Sequence, residues 1–173
     1  MGTVPGIDFG SLTLQDALDL AVLIEEEARE RYEEFAGQLE LHHTPEAARF
    51  FRSMMGNEEK HRLSLASRRR ELFGERPSRM NRGMLFDVEA SELDEVRAFM
   101  SLREALQVSF RAEKKAWEFF CEALPRVRDP RVRELFAELR DEEVQHQRLV
   151  LAELEKTPPE SALRPPEDEP VAQ

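Results

Sequence analysis

The runs Glu58-Glu59-Lys60-His61 and Glu143-Val144-Gln145-His146 each place a carboxylate three residues before an imidazole. Both runs lie within long stretches that are poor in Gly and Pro and rich in Glu, Arg, Ala and Leu, which favours α-helix. On a helix, residues three apart share one face and lie less than one turn apart. Each run therefore presents two metal-binding groups on the same side of a predicted helix.

Apolar residues recur around both runs in alternating steps of three and four, which is typical of the inward face of a bundle helix. Each Glu-x-x-His pair interrupts this apolar stripe near its midpoint. Two other predicted helices carry a single glutamate at the same kind of core position, Glu25 and Glu113. Glu25 is followed by Glu26 and Glu27, but only Glu25 falls on the stripe.

The two halves of the sequence also match each other. The segment that begins at Glu25 aligns with the segment that begins at Glu113, and each Glu-x-x-His pair follows a Phe and a second apolar residue at the same spacing. Buried ionised carboxylates cost several kcal/mol unless cations neutralise them. A repeated helix pair with such carboxylates predicts a two-metal site inside a four-helix bundle. The predicted ligands are Glu25, Glu58, His61, Glu113, Glu143 and His146.

Breaks in the helical pattern divide the chain into an irregular arm at 1–12, a bundle at 13–156 and a disordered, Pro-rich acidic tail at 157–173. Residues 74–100 form one long connection with a short helix predicted at 91–99. Two tightly joined helix pairs on either side of this connection predict an all-α, ferritin-like four-helix bundle with one long crossover between helices two and three. The predicted helices run from Thr13 to Leu41, from Pro45 (capped by Thr44) to Phe73, from Ser101 to Leu124 and from Pro130 to about Glu155.

Composition narrows the choice of function. The net charge of −11 makes nucleic acid an unfavourable partner, and the single Cys121 leaves no partner for a disulfide within the chain. No apolar stretch is long enough to span a membrane, and the first residues lack the basic and apolar regions of a signal peptide. These observations predict a cytoplasmic protein that does not bind membranes.

Tyr32 lies two turns beyond Glu25 on the same stripe. One interpretation is a core aromatic residue whose hydroxyl group has a buried partner. The other is a functional hydroxyl that is hydrogen-bonded to a metal ligand or is close enough to exchange an electron. The sequence does not choose between these two interpretations.

These motifs resemble the rubrerythrin branch of the ferritin-like superfamily. The matching pieces are Glu25…Ala28-Arg29…Arg31-Tyr32, Glu58-x-x-His61, Glu113 and Glu143-x-x-His146. The resemblance implies a non-haem centre of two iron ions that reacts with peroxide or dioxygen, and a homodimer. Typical members append a rubredoxin domain whose iron is held by four cysteines. This sequence has one cysteine, so we expect a separate electron donor. Typical peroxidase members also carry a second glutamate where this chain has Ala116.

Three functions follow as hypotheses. The first is a di-iron oxidoreductase of peroxidase or ferroxidase type. The second is a protein that binds, stores or senses iron or manganese without turnover, because carboxylate and imidazole ligands suit both metals. The third is a metal-free helical interaction module, which would leave six polar residues on the core stripes unexplained.

Overall fold

The computed structural model describes residues 7–41, 45–85 and 101–159, and within these ranges it contains helices and turns but no β-strand. The all-α prediction is confirmed, and each long helix begins and ends within one or two residues of its predicted bounds. The predicted Thr44 cap, the short helix at 91–99 and the tail from residue 160 lie outside the described residues. The long helices are α1 (Leu14–Leu41), α2 (Pro45–Phe73), α3 (Leu102–Ala123) and α4 (Pro130–Lys156), and a 3₁₀ turn spans Arg82–Met84.

Side-chain caps fix where three of these helices begin. The Thr13 hydroxyl accepts a hydrogen bond from the backbone N–H of Asp16 at 3.2 Å, and the Asp16 carboxylate accepts one from the N–H of Thr13 at 3.1 Å. Ser101 and Glu104 form the same reciprocal pair at the start of α3. Asp129 caps α4, with Pro130 in the first turn. Each cap satisfies backbone N–H groups that have no partner within the helix, which stabilises a helix by about 0.5–2 kcal/mol.

Two apolar clusters fill the bundle, one on either side of a polar layer. Each helix contributes one segment to each cluster. Between its two segments, each helix carries the glutamate predicted as a metal ligand: Glu25, Glu58, Glu113 or Glu143. The first cluster contains the N-terminal half of α1, Leu65 of α2, the C-terminal end of α3 and the first half of α4. The second contains the opposite parts of the same helices. Helices α1 and α4 therefore run in one direction and α2 and α3 in the other.

This arrangement requires a long crossover, because α2 ends beside the first cluster and α3 begins beside the second. The described part of the crossover returns along α1. The side-chain amide of Gln15 donates to the carbonyl of Pro77 at 3.1 Å, and Arg82 pairs with Glu30 at 2.8 Å, about four turns further along α1. Leu85 is buried in the first cluster. The predicted single crossover between the second and third helices is thus confirmed by the directions of the helices.

None of the helices within the described ranges is long and apolar enough to cross a membrane.

Candidate metal centre

The six predicted ligands converge in the polar layer. Five of them are almost completely buried, and their exposed fractions run from 1% for Glu58 to 5% for Glu143. The imidazole rings of His61 and His146 are stacked, with ring centres 5.3 Å apart and planes 15° from parallel. The structure therefore brings together residues from all four helices, and their role as metal ligands stays a prediction.

His146 lies at the more enclosed end of this layer. Its Nδ1 is 3.2 Å from Glu113 Oε2, 3.3 Å from Glu58 Oε1 and 3.8 Å from Glu143 Oε2. Three carboxylates around one imidazole nitrogen form a nitrogen–oxygen donor set that suits iron, manganese and zinc.

His61 lies at the more open end. Its Nδ1 is 3.9 Å from Glu25 Oε2 and 3.7 Å from Glu142 Oε2. Its side chain is 31% exposed, whereas that of His146 is 5% exposed. An oxygen of Glu58 and one nitrogen of each imidazole lie within 4.8 Å of one another, so Glu58 stands within reach of both ends.

Burial and mutual repulsion perturb the carboxyl groups. Burial, with the nearby charge of Glu58, raises the pKa of Glu25 well above its ordinary value, and burial beside Glu113 does the same to Glu143. Burial and the charge of Glu113 raise the pKa of Glu58 to about 7. Without a cation, these three groups therefore retain protons at a pH where exposed glutamates are ionised.

Glu113 and His146 behave as an ion pair. Burial opposes ionisation of Glu113, but the hydrogen bond and charge of His146 outweigh it and lower the pKa of Glu113 to about 2. Burial likewise disfavours the charged form of His146, but the surrounding carboxylates raise its pKa to about 9. A proton on His146 does what a metal cation would do, since it places a positive charge among the carboxylates.

The donor set fits divalent cations. Within the described residues, Glu58 Oε1 and His61 Nδ1 are buried atoms that have no hydrogen-bond partner. Leaving such atoms without a partner costs about 1–3 kcal/mol each, and coordination to a cation would remove that cost. Two divalent ions would also balance the four buried glutamates, which explains how so many acidic groups can occupy an apolar bundle.

Tyr32 connects directly to this centre. It is completely buried, and its hydroxyl donates a hydrogen bond to Glu113 Oε1. Burial, together with the charges of Glu113 and Glu58, raises the pKa of Tyr32 well above its ordinary value, so the proton stays on the phenol. Both interpretations of Tyr32 required a buried partner for the hydroxyl, and the partner is a predicted ligand.

Sequence reasoning did not select Arg31 or Glu142 for the site. Arg31 is only 3% exposed, its guanidinium lies 5.9 Å from the centre of the Tyr32 ring, and its charge favours the ionised form of Glu113. Glu142 is half-buried beside His61. A spacing signal existed for both residues. Position 31 fits the spacing of four, three and four residues that links Ile24, Ala28 and Phe35. Position 142 fits the same spacing among Leu135, Leu139 and His146.

Comparisons with known proteins agree with the fold. A solved structure of an uncharacterized conserved protein from Magnetospirillum magnetotacticum MS-1 is 30% identical, with a TM-score of 0.71 over 86% of this chain and 97% of that one. A comparison with curated proteins finds no match. The family model for rubrerythrin matches residues 16–161, which contain all four helices apart from the first two residues of α1. With all six motif residues inside that match, the chain belongs to the rubrerythrin family.

Proposed function

We propose that this protein is a non-haem di-iron oxidoreductase that reacts with hydrogen peroxide or dioxygen and takes electrons from a separate donor. The observation that carries the proposal is the convergence of four glutamates and two histidines within an apolar bundle, together with the buried Glu58 Oε1 and His61 Nδ1, neither of which makes a hydrogen bond with the described residues. A structural role alone does not account for this set, because apolar residues at the same positions would be at least as stable.

The two ends of the layer would each hold one ion. His146, Glu113 and Glu143 surround the enclosed position, His61 and Glu25 stand at the open position, and Glu58 is within reach of both. When bound, two ferrous ions would supply the electrons that reduce peroxide or dioxygen.

The surrounding residues would prepare this centre for the reaction. The Tyr32 hydroxyl, by donating to Oε1 of Glu113, holds that carboxylate in one orientation. Oε2 of Glu113 faces Nδ1 of His146, so the same carboxylate also fixes the imidazole. The apolar clusters above and below the layer exclude bulk water, which strengthens every electrostatic interaction between these groups.

The proposal is tested by loading the metal-free protein anaerobically with ferrous iron and adding hydrogen peroxide in equimolar steps. We expect two irons per chain, and absorption in the near ultraviolet that rises with the first equivalents of peroxide and then stops rising. The Glu58→Gln variant should bind less iron and show a smaller change, while Glu118→Gln on the exposed face of α3 should match the wild type. Iron that stays ferrous for as long as it does in buffer would contradict an oxidoreductase role.

A second candidate is a protein that holds or delivers iron or manganese without turnover. The exposure of His61 favours it, because an open coordination position suits exchange with solution as well as reaction. Elemental analysis of the purified protein, with anomalous scattering at the iron and manganese edges, separates the metals. Full occupancy by manganese and no response to peroxide would favour this second function.

We also propose that the protein forms a homodimer in solution. The exposed leucines Leu41, Leu63 and Leu72 are available for such a contact, and light scattering measures the mass directly.

A further inference from the structure

The open end of the polar layer meets the surface at a cleft between α2 and α4. The cleft has a volume of about 120 Å³, and His61, Arg68, Glu138 and Glu142 contribute to its walls. Arg68 of α2 and Glu138 of α4 form an ion pair of 3.4 Å across it. Among the described residues, His61 is the one predicted ligand that lines this cleft, and its side chain is 31% exposed.

Glu142 stands where this cleft meets the metal layer. It immediately precedes Glu143 on α4, and successive helical residues point about 100° apart. Glu143 therefore faces the enclosed end beside His146, while Glu142 faces α2. Its Oε2 lies 3.7 Å from His61 Nδ1, slightly closer than the oxygen of Glu25 at 3.9 Å. Suitable donor atoms of Glu25, His61 and Glu142 all lie within 4.8 Å of one another.

If Glu142 is left out, the two ends of the polar layer have different carboxylate donors. His146 has three carboxylates around its Nδ1, whereas His61 has Glu25 and the Glu58 that it shares with His146. Glu142 would restore a third carboxylate at the His61 end. Since His61 Nδ1 has no hydrogen-bond partner among the described residues, nothing in this part of the chain competes with a cation for that nitrogen.

We infer that Glu142 is a seventh metal ligand and that it belongs to the His61 position. This position is open to the α2–α4 cleft, and metal enters and leaves the protein there. The inference rests on the proposed two-metal centre and adds to it a ligand and an order of exchange. The half-exposed carboxylate of Glu142 can meet an ion at the cleft, and His61 and Glu25 then complete its coordination. The ion beside His146 is enclosed, so it binds first and leaves last.

The test compares Glu142→Gln with Glu138→Gln by titrating Mn²⁺ into metal-free protein. The two glutamates lie about one turn apart on α4, both line the cleft, and both substitutions remove one negative charge while keeping the shape. Wild type should bind two equivalents. In Glu142→Gln the weaker equivalent should lose about 10–100-fold in affinity, as for other changes next to a metal, while the stronger one stays within about 3-fold. In Glu138→Gln both should stay within about 3-fold of wild type, since an exposed charge contributes little.

Release kinetics give a second readout. After addition of a chelator in excess, one ion of the wild-type protein should leave quickly and the other slowly, and Glu142→Gln should accelerate only the fast phase. Equal effects of Glu142→Gln and Glu138→Gln would show that Glu142 acts only through its charge and would overturn the inference. Two unchanged equivalents in Glu142→Gln would do the same. A wild type that binds no Mn²⁺ and no Fe²⁺ would instead overturn the two-metal centre itself.

Discussion

Replacing Glu58 with Gln should stabilise the metal-free protein, although the substitution removes a residue of the candidate centre. Glu58 is 1% exposed, and its pKa is raised from 4.5 to about 7. A raised carboxyl pKa means that ionisation destabilises the folded state, with a cost that begins above the unfolded pKa and is complete above the folded one. Glutamine has nearly the same shape and carries no charge at any pH, so the variant avoids that cost.

The size of the effect follows from the shift in pKa. A difference of about 2.5 units between 4.5 and 7 corresponds to about 3 kcal/mol at pH 7, where one unit is worth 1.36 kcal/mol. Near pH 5 the group is protonated in the folded state, and the advantage of the variant should fall to about 1 kcal/mol or less. For a protein of this size, about 3 kcal/mol raises the melting temperature by roughly 6–12 °C.

The assay is urea denaturation of chelator-treated protein, followed by far-ultraviolet circular dichroism at both pH values. We expect Glu58→Gln to raise the urea midpoint with an unchanged m value, and the exposed control Glu118→Gln to change the free energy of unfolding by less than about 0.5 kcal/mol. Saturating Mn²⁺ should then reverse the order, because a ligand at 100 times its dissociation constant adds about 2.7 kcal/mol per site to the wild type. A metal-free Glu58→Gln variant that is less stable than wild type at pH 7 would refute the reasoning.

Three further predictions concern single contacts. Tyr32→Phe removes the hydroxyl that donates a hydrogen bond to the buried Glu113 carboxylate. We expect urea denaturation of the metal-free variant to give a free energy of unfolding about 1.5–3 kcal/mol lower, and Mn²⁺ titration to show weaker metal binding. Asp16→Asn removes a carboxylate whose burial opposes ionisation but whose pKa is lowered by Arg79 and Thr13. The deficit of the variant should therefore be present at neutral pH, shrink as the pH falls below about 4 and be lost as the pH passes through the lowered pKa of the folded state. Ser101→Ala removes the α3 cap and should cost about 0.5–2 kcal/mol at any pH from 5 to 8.

Each of these predictions has its own control and contrary result. A Tyr32→Phe protein with unchanged stability would mean that the hydroxyl does not hold Glu113. For Asp16→Asn, a deficit as large at pH 3 as at neutral pH would point to lost packing rather than lost charge. Ser101→Thr keeps a hydroxyl cap and should retain most of the stability that Ser101→Ala loses.

Hydrophobic spacing in the sequence determined the four helices and the faces that they bury. The caps at Thr13, Ser101 and Asp129 and the Pro at the start of α4 are local signals, and their effect on helix ends depends on only a few neighbouring residues. Glu25 and Glu113 were selected because an acidic residue on an apolar stripe is costly without a partner, and both are buried in the polar layer.

Contacts between helices decided what periodicity could not. The stripe rule treats His61 and His146 alike, but in the tertiary structure the side chain of His61 is 31% exposed beside the α2–α4 cleft and that of His146 is enclosed. The fold also brings Glu142, one of many glutamates in an acidic chain, close to His61 across the α2–α4 cleft. Likewise, the described part of the crossover lies along α1, where it forms long-range ion pairs such as Arg82 with Glu30. Local spacing specifies which face of a helix is buried, whereas the depth of burial and the residue opposite depend on the neighbouring helix, which only the tertiary structure supplies.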